Sequence, residues 1–343
     1  MPDIASFIII TLSILIFNFL FNKLDLIRDK KNTSFHKKFI ESKFEPPFSG
    51  GIFLIFIIII YLNASMIFKF FLLTIFFIGF FSDLNFFKSI NLRFYLQLIS
   101  IVIFIHFSDL YIQSIRIEFV DNLLNNYIFK IFFTTFCILI LINGSNFLDG
   151  VNTLVIGYYT LVLYFISSIN SGITSSVDGN FINLLIFSLF ILFLLNCFNL
   201  LLLGDNGSYL VSVFVGIYLI DVANNSVLIS PYFVMNLLWY PAYENLFSII
   251  RKVLTKKSPL SPDNLHLHQL IYIYLKDKIT YKYYANSLSG ILINIYNLSI
   301  FYFASQDYSN TKHQLLLFCF SFIIYNSLYL AINSYSKKNK LIN

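Results

Sequence analysis

The sequence is poor in charged residues. Only 12% of its 343 residues are Asp, Glu, Lys or Arg, whereas 58% are hydrophobic. Soluble domains carry about 25% charged residues, so the composition excludes an ordinary soluble globular protein. The apolar residues are grouped in repeated runs of roughly 20 residues, which is the length that a helix needs to cross a bilayer core. The sequence therefore predicts an all-α, polytopic integral membrane protein.

Cysteine is also scarce. Cys137, Cys197 and Cys319 all lie inside or at the edge of apolar runs. We expect them to be small buried hydrophobic residues, not parts of a disulfide or of a metal site. The loops are too short to hold a separate domain of about 50 residues or more. Residues 1–343 are therefore predicted to form a single transmembrane domain.

The apolar runs predict about 10–11 transmembrane helices, and the first is expected to be retained because no cleavage site follows it. Basic residues concentrate in cytoplasmic loops, which predicts the N-terminus outside and the C-terminus in the cytoplasm. All 23 Lys and Arg residues except Lys69, Arg116, Lys130 and Lys312 then lie on the cytoplasmic side. The predicted spans are Ile4–Phe21, Gly50–Leu62, Met66–Phe81, Phe94–Phe107, Tyr127–Ile142, Val151–Ile169, Phe181–Phe198, Tyr209–Val222, Pro231–Ile250, Ser287–Ala304 and Gln314–Ile332.

The predicted cytoplasmic loops hold most of the polar chemistry. They lie near residues 22–49, 82–93, 143–150, 199–208 and 251–286. Their basic residues account for the net charge of +6 without a nucleic acid partner, and they would attract anionic membrane lipids. Because four separate polar clusters fall on this face, we predict a catalytic site at the inner membrane interface.

The segment NGSNFLDGVNTL, residues 143–154, places Asn143, Asn146, Asp149 and Asn152 between two apolar runs. A polar turn is one interpretation, because Asn, Gly and Asp are common turn residues. On a helical path, residues 146, 149 and 152 would instead share one face. That face would offer a carboxylate with amides on either side.

The segment LGDNGS, residues 203–208, contains Gly204, Asp205, Gly207 and Ser208. Backbone N–H groups ahead of the following helix could cradle a phosphate. Asp205 has no basic neighbour in sequence, which favours a hard cation such as Mg²⁺ as its partner. A plain turn remains the alternative.

His266 and His268 follow the basic residues Arg251 and Lys252. Positions i and i+2 do not share a helix face, so the pair predicts a loop. Contact with a phosphate or sugar, a solvated loop and a zinc site all remain open, although zinc would need further ligands. Asp83, taken alone, is predicted to be a solvated residue at a helix end.

Taken in order, these motifs resemble the polyprenyl-phosphate N-acetylhexosamine-1-phosphate transferases. That family includes the enzymes that start O-antigen and enterobacterial common antigen synthesis, and phospho-N-acetylmuramoyl-pentapeptide transferase. The resemblance runs from about His36 to Tyr272. It rests on His36 followed by PFSGG (47–51), GFFSD (79–83) followed by Arg93 and Gln97, NGSNFLDGVNTL, LGDNGS and HLH (266–268).

The resemblance implies transfer of an N-acetylhexosamine 1-phosphate from a UDP-sugar to undecaprenyl phosphate in the bacterial inner membrane. UMP would be released, and the product would be the first lipid-linked sugar of a surface glycan such as the O-antigen of lipopolysaccharide. The cofactor would be Mg²⁺ or Mn²⁺ held by Asp205, and a homo-oligomer remains open. The implied catalytic residues are Asp83, Asp149, Asp205, His266 and His268, and the implied substrate-binding residues are Asn143, Asn146, Asn152, Gly204, Gly207, Ser208 and Arg251.

The sequence departs from the family pattern at two positions. Ser82 replaces the first Asp of an Asp pair, and Thr153 replaces a Gly. An inactive relative is therefore one alternative, and a transporter or lipid flippase is another. Transporter sites usually lie near the bilayer midplane in broken helices of inverted repeats. Because the polar motifs here lie at helix ends and no repeat is present, we favour the transferase.

Overall fold

The computed structural model describes residues 4–28, 46–87, 89–169, 175–256, 258 and 265–339. Within these ranges every regular element is a helix, and an isolated β-bridge joins Arg28 and Pro47. His36 of the resemblance, Lys88, and residues 259–264 ahead of the histidines lie outside the described residues. The predicted all-α class is confirmed.

Thirteen α-helices are present in the described ranges, and eleven of them correspond to the predicted spans. The additional helices are α5, between the fourth and fifth spans, and α11, which carries the second histidine. The helices are α1 Ile4–Lys23, α2 Gly50–Tyr61, α3 Met66–Asp83, α4 Ile90–Ser108, α5 Glu118–Leu124, α6 Tyr127–Leu148, α7 Leu154–Ser168, α8 Gly179–Cys197, α9 Gly204–Asn225, α10 Pro231–Leu254, α11 Leu267–Lys278, α12 Ala285–Gln306 and α13 Thr311–Lys338, with a 3₁₀ turn at Lys282–Tyr284.

Eight of the described helices are long and apolar enough to cross a membrane, namely α1, α3, α4, α6, α8, α9, α12 and α13. The other three predicted spans form helices that do not meet this measure. Helices α2 and α7 have only 12 and 15 residues, and the apolar residues of α10 are diluted by Tyr, Asn, Trp and Glu. The chain is thus a polytopic membrane protein. Its cysteines are free thiols, and Cys319 is exposed on α13, so the expectation that it is buried was wrong.

Helix α9 occupies the interior of the bundle, and 94% of its apolar stretch is buried. It packs against α2, α3 and α6, and two glycines allow the close approach. A Cβ atom on Gly79 of α3 would lie 2.5 Å from Asn206 Cα, and one on Gly51 of α2 would lie 2.4 Å from Gly207 N. Any side chain at either position would push α9 away, so these glycines fix the start of α9 against its neighbours.

Helices α6 and α10 are also held in a fixed register. Pro241 lies inside α10 and has no N–H to donate to Leu237 O, four residues earlier. The hydroxyl of Tyr158 donates to that carbonyl instead, at 2.8 Å. Gly144 of α6 lies against the backbone of Pro241, where a Cβ atom would be 2.1 Å from the carbonyl oxygen. Asn245 Nδ2 adds a hydrogen bond to Ile140 O at 3.1 Å.

Candidate active site at one end of the bundle

Asp205 is the point where four helices meet. Its Oδ2 accepts hydrogen bonds from Ser82 Oγ of α3 at 2.6 Å and from Arg93 Nη1 of α4 at 3.0 Å. Its Oδ1 accepts from Asn146 Nδ2 of α6 at 2.8 Å. Arg93 Nη1 also donates to Ser82 Oγ at 2.6 Å. The expected convergence of the Ser82, Asn146 and Asp205 motifs is therefore confirmed.

Arg93 alters the electrostatic argument for a metal at Asp205. The absence of a basic neighbour holds only along the sequence, because the two side chains form an ion pair across 112 residues. Among the described residues, no three His, Cys, Asp or Glu side chains are grouped so as to hold a metal ion. The groups near this position that could bind a metal ion are the Asp205 carboxylate and the side-chain amide of Asn146.

Asp83 forms a cap on α9. Its Oδ1 accepts from the N–H of Asp205 at 3.0 Å. Its Oδ2 accepts from the N–H and the Nδ2 of Asn206, at 3.0 and 2.8 Å. A carboxylate in this position satisfies N–H groups that have no partner within the helix and interacts favourably with the helix dipole. The contact gives Asp83 a structural role, and its catalytic role stays a prediction.

The LGDNGS segment does not precede the helix, as the sequence predicted, but forms its first turn. Helix α9 begins at Gly204, five residues before the predicted start, and its first N–H groups already donate to Asp83. Gly204 has φ +76°, and a Cβ atom there would lie 2.7 Å from Asp83 Oδ2. Gly207 packs against Gly51, and the buried Ser208 hydroxyl donates to Asp205 O. These contacts pack the start of α9 against its neighbours, and the substrate-binding roles of Gly204, Gly207 and Ser208 stay predictions.

The predicted helical face of residues 146, 149 and 152 was also wrong for Asn152. Helix α6 ends at Leu148, Asp149 is its C-cap, and Thr153 has φ +67°. Asn152 is buried and points away, with its Nδ2 donating to Asn196 O at 3.0 Å and to Asn199 Oδ1. The α6–α7 turn is thereby fastened to α8, which argues against a substrate contact for Asn152.

Asn143 also makes contacts within the bundle. Its Nδ2 donates to Leu139 O at 2.8 Å and to Gln97 Oε1 at 3.5 Å. Asn143 therefore lies between α6 and α4, about one helical turn from Asn146. Its predicted role in substrate binding stays a prediction.

The histidines lie over the end of α6. The ring centroid of His266 is 5.2 Å from that of Phe147 and 5.4 Å from that of His268. A Cβ atom on Gly150 would lie 3.6 Å from His268 Nε2. The predicted loop was wrong, because His266 is the N-cap of α11 and His268 lies in its first turn. The two rings are stacked although the residues are at positions i and i+2. The histidines thus lie beside the segment that contains Asp149, and their predicted catalytic roles stay predictions.

Two basic residues at the end of α10 border this region. Lys252 is buried with its Nζ 5.6 Å from the Phe147 ring centroid. Arg251 is half-buried, and its Nη2 donates to Ser248 Oγ at 3.3 Å. The Phe147 ring therefore lies close to both Lys252 and His266.

Residues 65–223 match the family model of glycosyl transferase family 4. This family includes phospho-N-acetylmuramoyl-pentapeptide transferase and related polyprenyl-phosphate sugar-1-phosphate transferases. The predicted resemblance is confirmed at that level, while the O-antigen-type subtype stays a prediction. No curated protein matches the chain.

The part that matches glycosyl transferase family 4 runs from the start of α3 to the last turn of α9. It contains Asp83, Asn146, Asp149 and Asp205, so it covers the whole hydrogen-bonded cluster around Asp205. Arg251, His266 and His268 follow it. Their place in the site rests on the contacts of α10 and α11.

Sequence reasoning missed two residues of the site. Arg93 was noted only as part of a motif, although it pairs with Asp205. Glu244 of α10, only 1% exposed, has its Oε1 3.0 Å from His266 Nδ1. Glu244 is the single charged residue between positions 231 and 250, and an ionisable residue within an apolar span is by default a functional candidate. That signal could have found it.

Proposed function

We propose that the chain transfers an N-acetylhexosamine 1-phosphate from a UDP-sugar to undecaprenyl phosphate, with release of UMP. Residues 1–343 would act as one catalytic domain whose site faces the cytoplasm at the inner membrane of a bacterium. The observation that carries the proposal is the Asp205 cluster, which joins α3, α4, α6 and α9 within the range matching glycosyl transferase family 4.

The chemistry of phosphoryl transfer fits such a cluster. Catalysis depends mainly on positioning and on neutralising the charge of the transferred group. A monoester phosphate has a second pKa of about 6, so undecaprenyl phosphate would be ionised near neutral pH. It could attack the diphosphate without a strong general base, which makes the replacement of an Asp by Ser82 tolerable.

Asp205 is the residue we assign to Mg²⁺. Magnesium is commonly bound by one or two carboxylates together with substrate phosphates, so a single aspartate flanked by Asn146 fits a metal shared with the diphosphate. Bound there, Mg²⁺ would neutralise the developing negative charge. Asn146 orients the carboxylate from one side at 2.8 Å, and Arg93 and Ser82 orient it from the other.

The cationic groups supply the remaining phosphate contacts. Arg93 has its Nε buried without a hydrogen-bond partner, and a guanidinium is well suited to phosphate oxygens. Arg251, Lys252 and the two histidines would meet the donor sugar or its diphosphate near the end of α6. Asp149, at the end of α6, would contact the nucleotide.

A transporter is the competing class. Its sites usually lie near the bilayer midplane, whereas the Asp205 cluster lies where α3 and α6 end and α4 and α9 begin. This arrangement favours a reaction between a membrane-bound acceptor and a water-soluble donor.

The test uses purified protein in vesicles that contain undecaprenyl phosphate and a panel of radiolabelled UDP-sugars. We expect label in the lipid fraction together with equimolar UMP, and loss of both when Mg²⁺ is chelated. Asp205→Asn should lose about 3–5 kcal/mol of charge stabilisation, or more than roughly a hundredfold in rate. Its matched control is Asp221→Asn, on the same helix but bonded to Ser176 and Asn225 at the far end.

The control should keep its turnover per folded molecule. Absence of transfer with every sugar, in wild-type protein that is folded and supplied with Mg²⁺, would refute the proposed function. Near-normal turnover of Asp205→Asn at low Mg²⁺ would refute only the metal assignment.

A further inference from the structure

Glu244 is a buried carboxylate for which the proposed reaction gives no direct role. Burying an ionised carboxylate in an apolar helix is costly unless hydrogen bonds compensate it. Glu244 is 1% exposed on α10, and every hydrogen bond described for it reaches a different helix. This pattern indicates that its contacts to neighbouring helices are the reason for its presence.

Two of those contacts fix the beginning of α11. Glu244 Oε1 lies 3.0 Å from His266 Nδ1 and accepts from the N–H of Leu267 at 3.1 Å. The Gln269 side chain accepts from the N–H of His266 at 3.3 Å. The first turn of α11 is therefore hydrogen-bonded to Glu244 of α10 and is also capped by the Gln269 side chain of α11 itself.

The third contact ties the same carboxylate to the last helix. The Tyr325 hydroxyl of α13 donates to Glu244 Oε2 at 2.6 Å. Both carboxylate oxygens are thus engaged, each by a different helix. Rotating the Glu244 side chain would break contacts on both sides, so its orientation is fixed.

Helix α10 is itself in register with the helix that carries Asn146 and Asp149. Gly144 of α6 lies against the backbone of Pro241, and Asn245 donates to Ile140 O at 3.1 Å. These contacts flank Glu244 in sequence. A single helix therefore determines how far the first turn of α11 lies from the end of α6.

We propose that Glu244 is a positioning residue that holds His266 and the first turn of α11 over the end of α6. It does so through geometry, as an acceptor shared by two helices, and it does not touch the substrate. The effect on turnover rests on the proposed function, whereas the anchoring itself does not.

Three variants test the anchor. Glu244→Ala removes it, and Glu244→Gln keeps an oxygen for the Leu267 N–H and an amide that can donate to the Tyr325 hydroxyl. The matched control is Asn236→Ala, because Asn236 is a buried residue of α10 whose Nδ2 donates to Gln314 Oε1 of α13 at 2.8 Å. It removes an α10–α13 contact without touching α11.

The readouts are hydrogen exchange of the backbone amides of residues 267–270, and kcat and KM for each substrate. In Glu244→Ala we expect faster exchange there and a fall in kcat of roughly 10- to 100-fold, because misplacing a group at the site by about 1 Å can cost a hundredfold. The KM for undecaprenyl phosphate should not change. Glu244→Gln should stay within about fivefold of wild type in both readouts, and Asn236→Ala should match wild type per folded molecule.

Several outcomes would overturn the anchor. They are unchanged exchange in Glu244→Ala, equal losses in Glu244→Ala and Asn236→Ala, or a Glu244→Gln protein that is inactive while its exchange stays normal. If Glu244→Ala does not fold, Glu244→Gln decides: turnover and exchange near wild type support the anchor, and lost turnover with normal exchange overturns it. If wild-type protein transfers no sugar, the proposed function fails, and exchange at α11 still decides whether Glu244 is the anchor.

Discussion

Replacing Asp83 distinguishes between two possible roles of this residue, a structural cap on α9 and a catalytic base. In Asp83→Ala the N–H groups of Asp205 and Asn206 lose their acceptor, together with Asn206 Nδ2. Removing an N-cap costs about 0.5–2 kcal/mol, and hydrogen bonds to charged groups contribute about 1.5–3 kcal/mol each. Because such terms are not additive, we expect a loss of about 3–5 kcal/mol in the free energy of unfolding.

Asp83→Asn gives the sharper measurement. An asparagine has the same shape but one oxygen, so its amide N–H₂ must face one of the backbone N–H donors at the start of α9. We expect a lower unfolding temperature than wild type, a smaller shift than in Asp83→Ala, and a fall in transfer that follows the loss of structure.

The assay compares thermal unfolding in detergent with transfer per folded molecule. An Asp83→Asn protein with wild-type unfolding temperature and no transfer would refute the cap. Asp83 would then act on the substrate, as the family resemblance implies.

Three further predictions concern other parts of the chain. Ser82→Ala should lower transfer roughly tenfold to a hundredfold, because hydrogen bonds to charged partners contribute about 1.5–3 kcal/mol; unchanged turnover would show that the Arg93–Asp205 pair suffices. Asn152→Ala should lower the unfolding temperature while transfer per folded molecule stays within about threefold of wild type, and the opposite pattern would restore a substrate contact. In intact cells lacking the native cysteines, an impermeant thiol reagent should label Val227→Cys and not Tyr281→Cys, since both positions are exposed at opposite ends of the bundle; the reverse labelling would invert the orientation.

The apolar runs were sufficient to predict the helices, because hydrophobic length is a local property of the chain. That the segments of Asn146 and Asp205 come together could also be predicted, because both carry polar residues at the same ends of apolar runs; the hydrogen bond between the two side chains could not. The errors have a common cause. The shared face assigned to Asn152 required a continuous helix, which the positive φ of Thr153 breaks, and the cap by Asp83 depends on a contact across 122 residues that no local spacing encodes.

The burial of α9 bears on the order in which the chain is assembled in the membrane. This helix carries Asp205 near its start and Asp221 near its end, residues that a translocon releases into lipid only reluctantly. Helices α2, α3 and α6, which surround it, are all synthesised earlier. We therefore expect α9 to leave the translocon and pack directly against these three helices. Asn146 and Arg93 would then already be present to contact the Asp205 carboxylate. If translation paused after α9, we would expect the Asp205 cluster to have formed already, before α10 to α13 have been made.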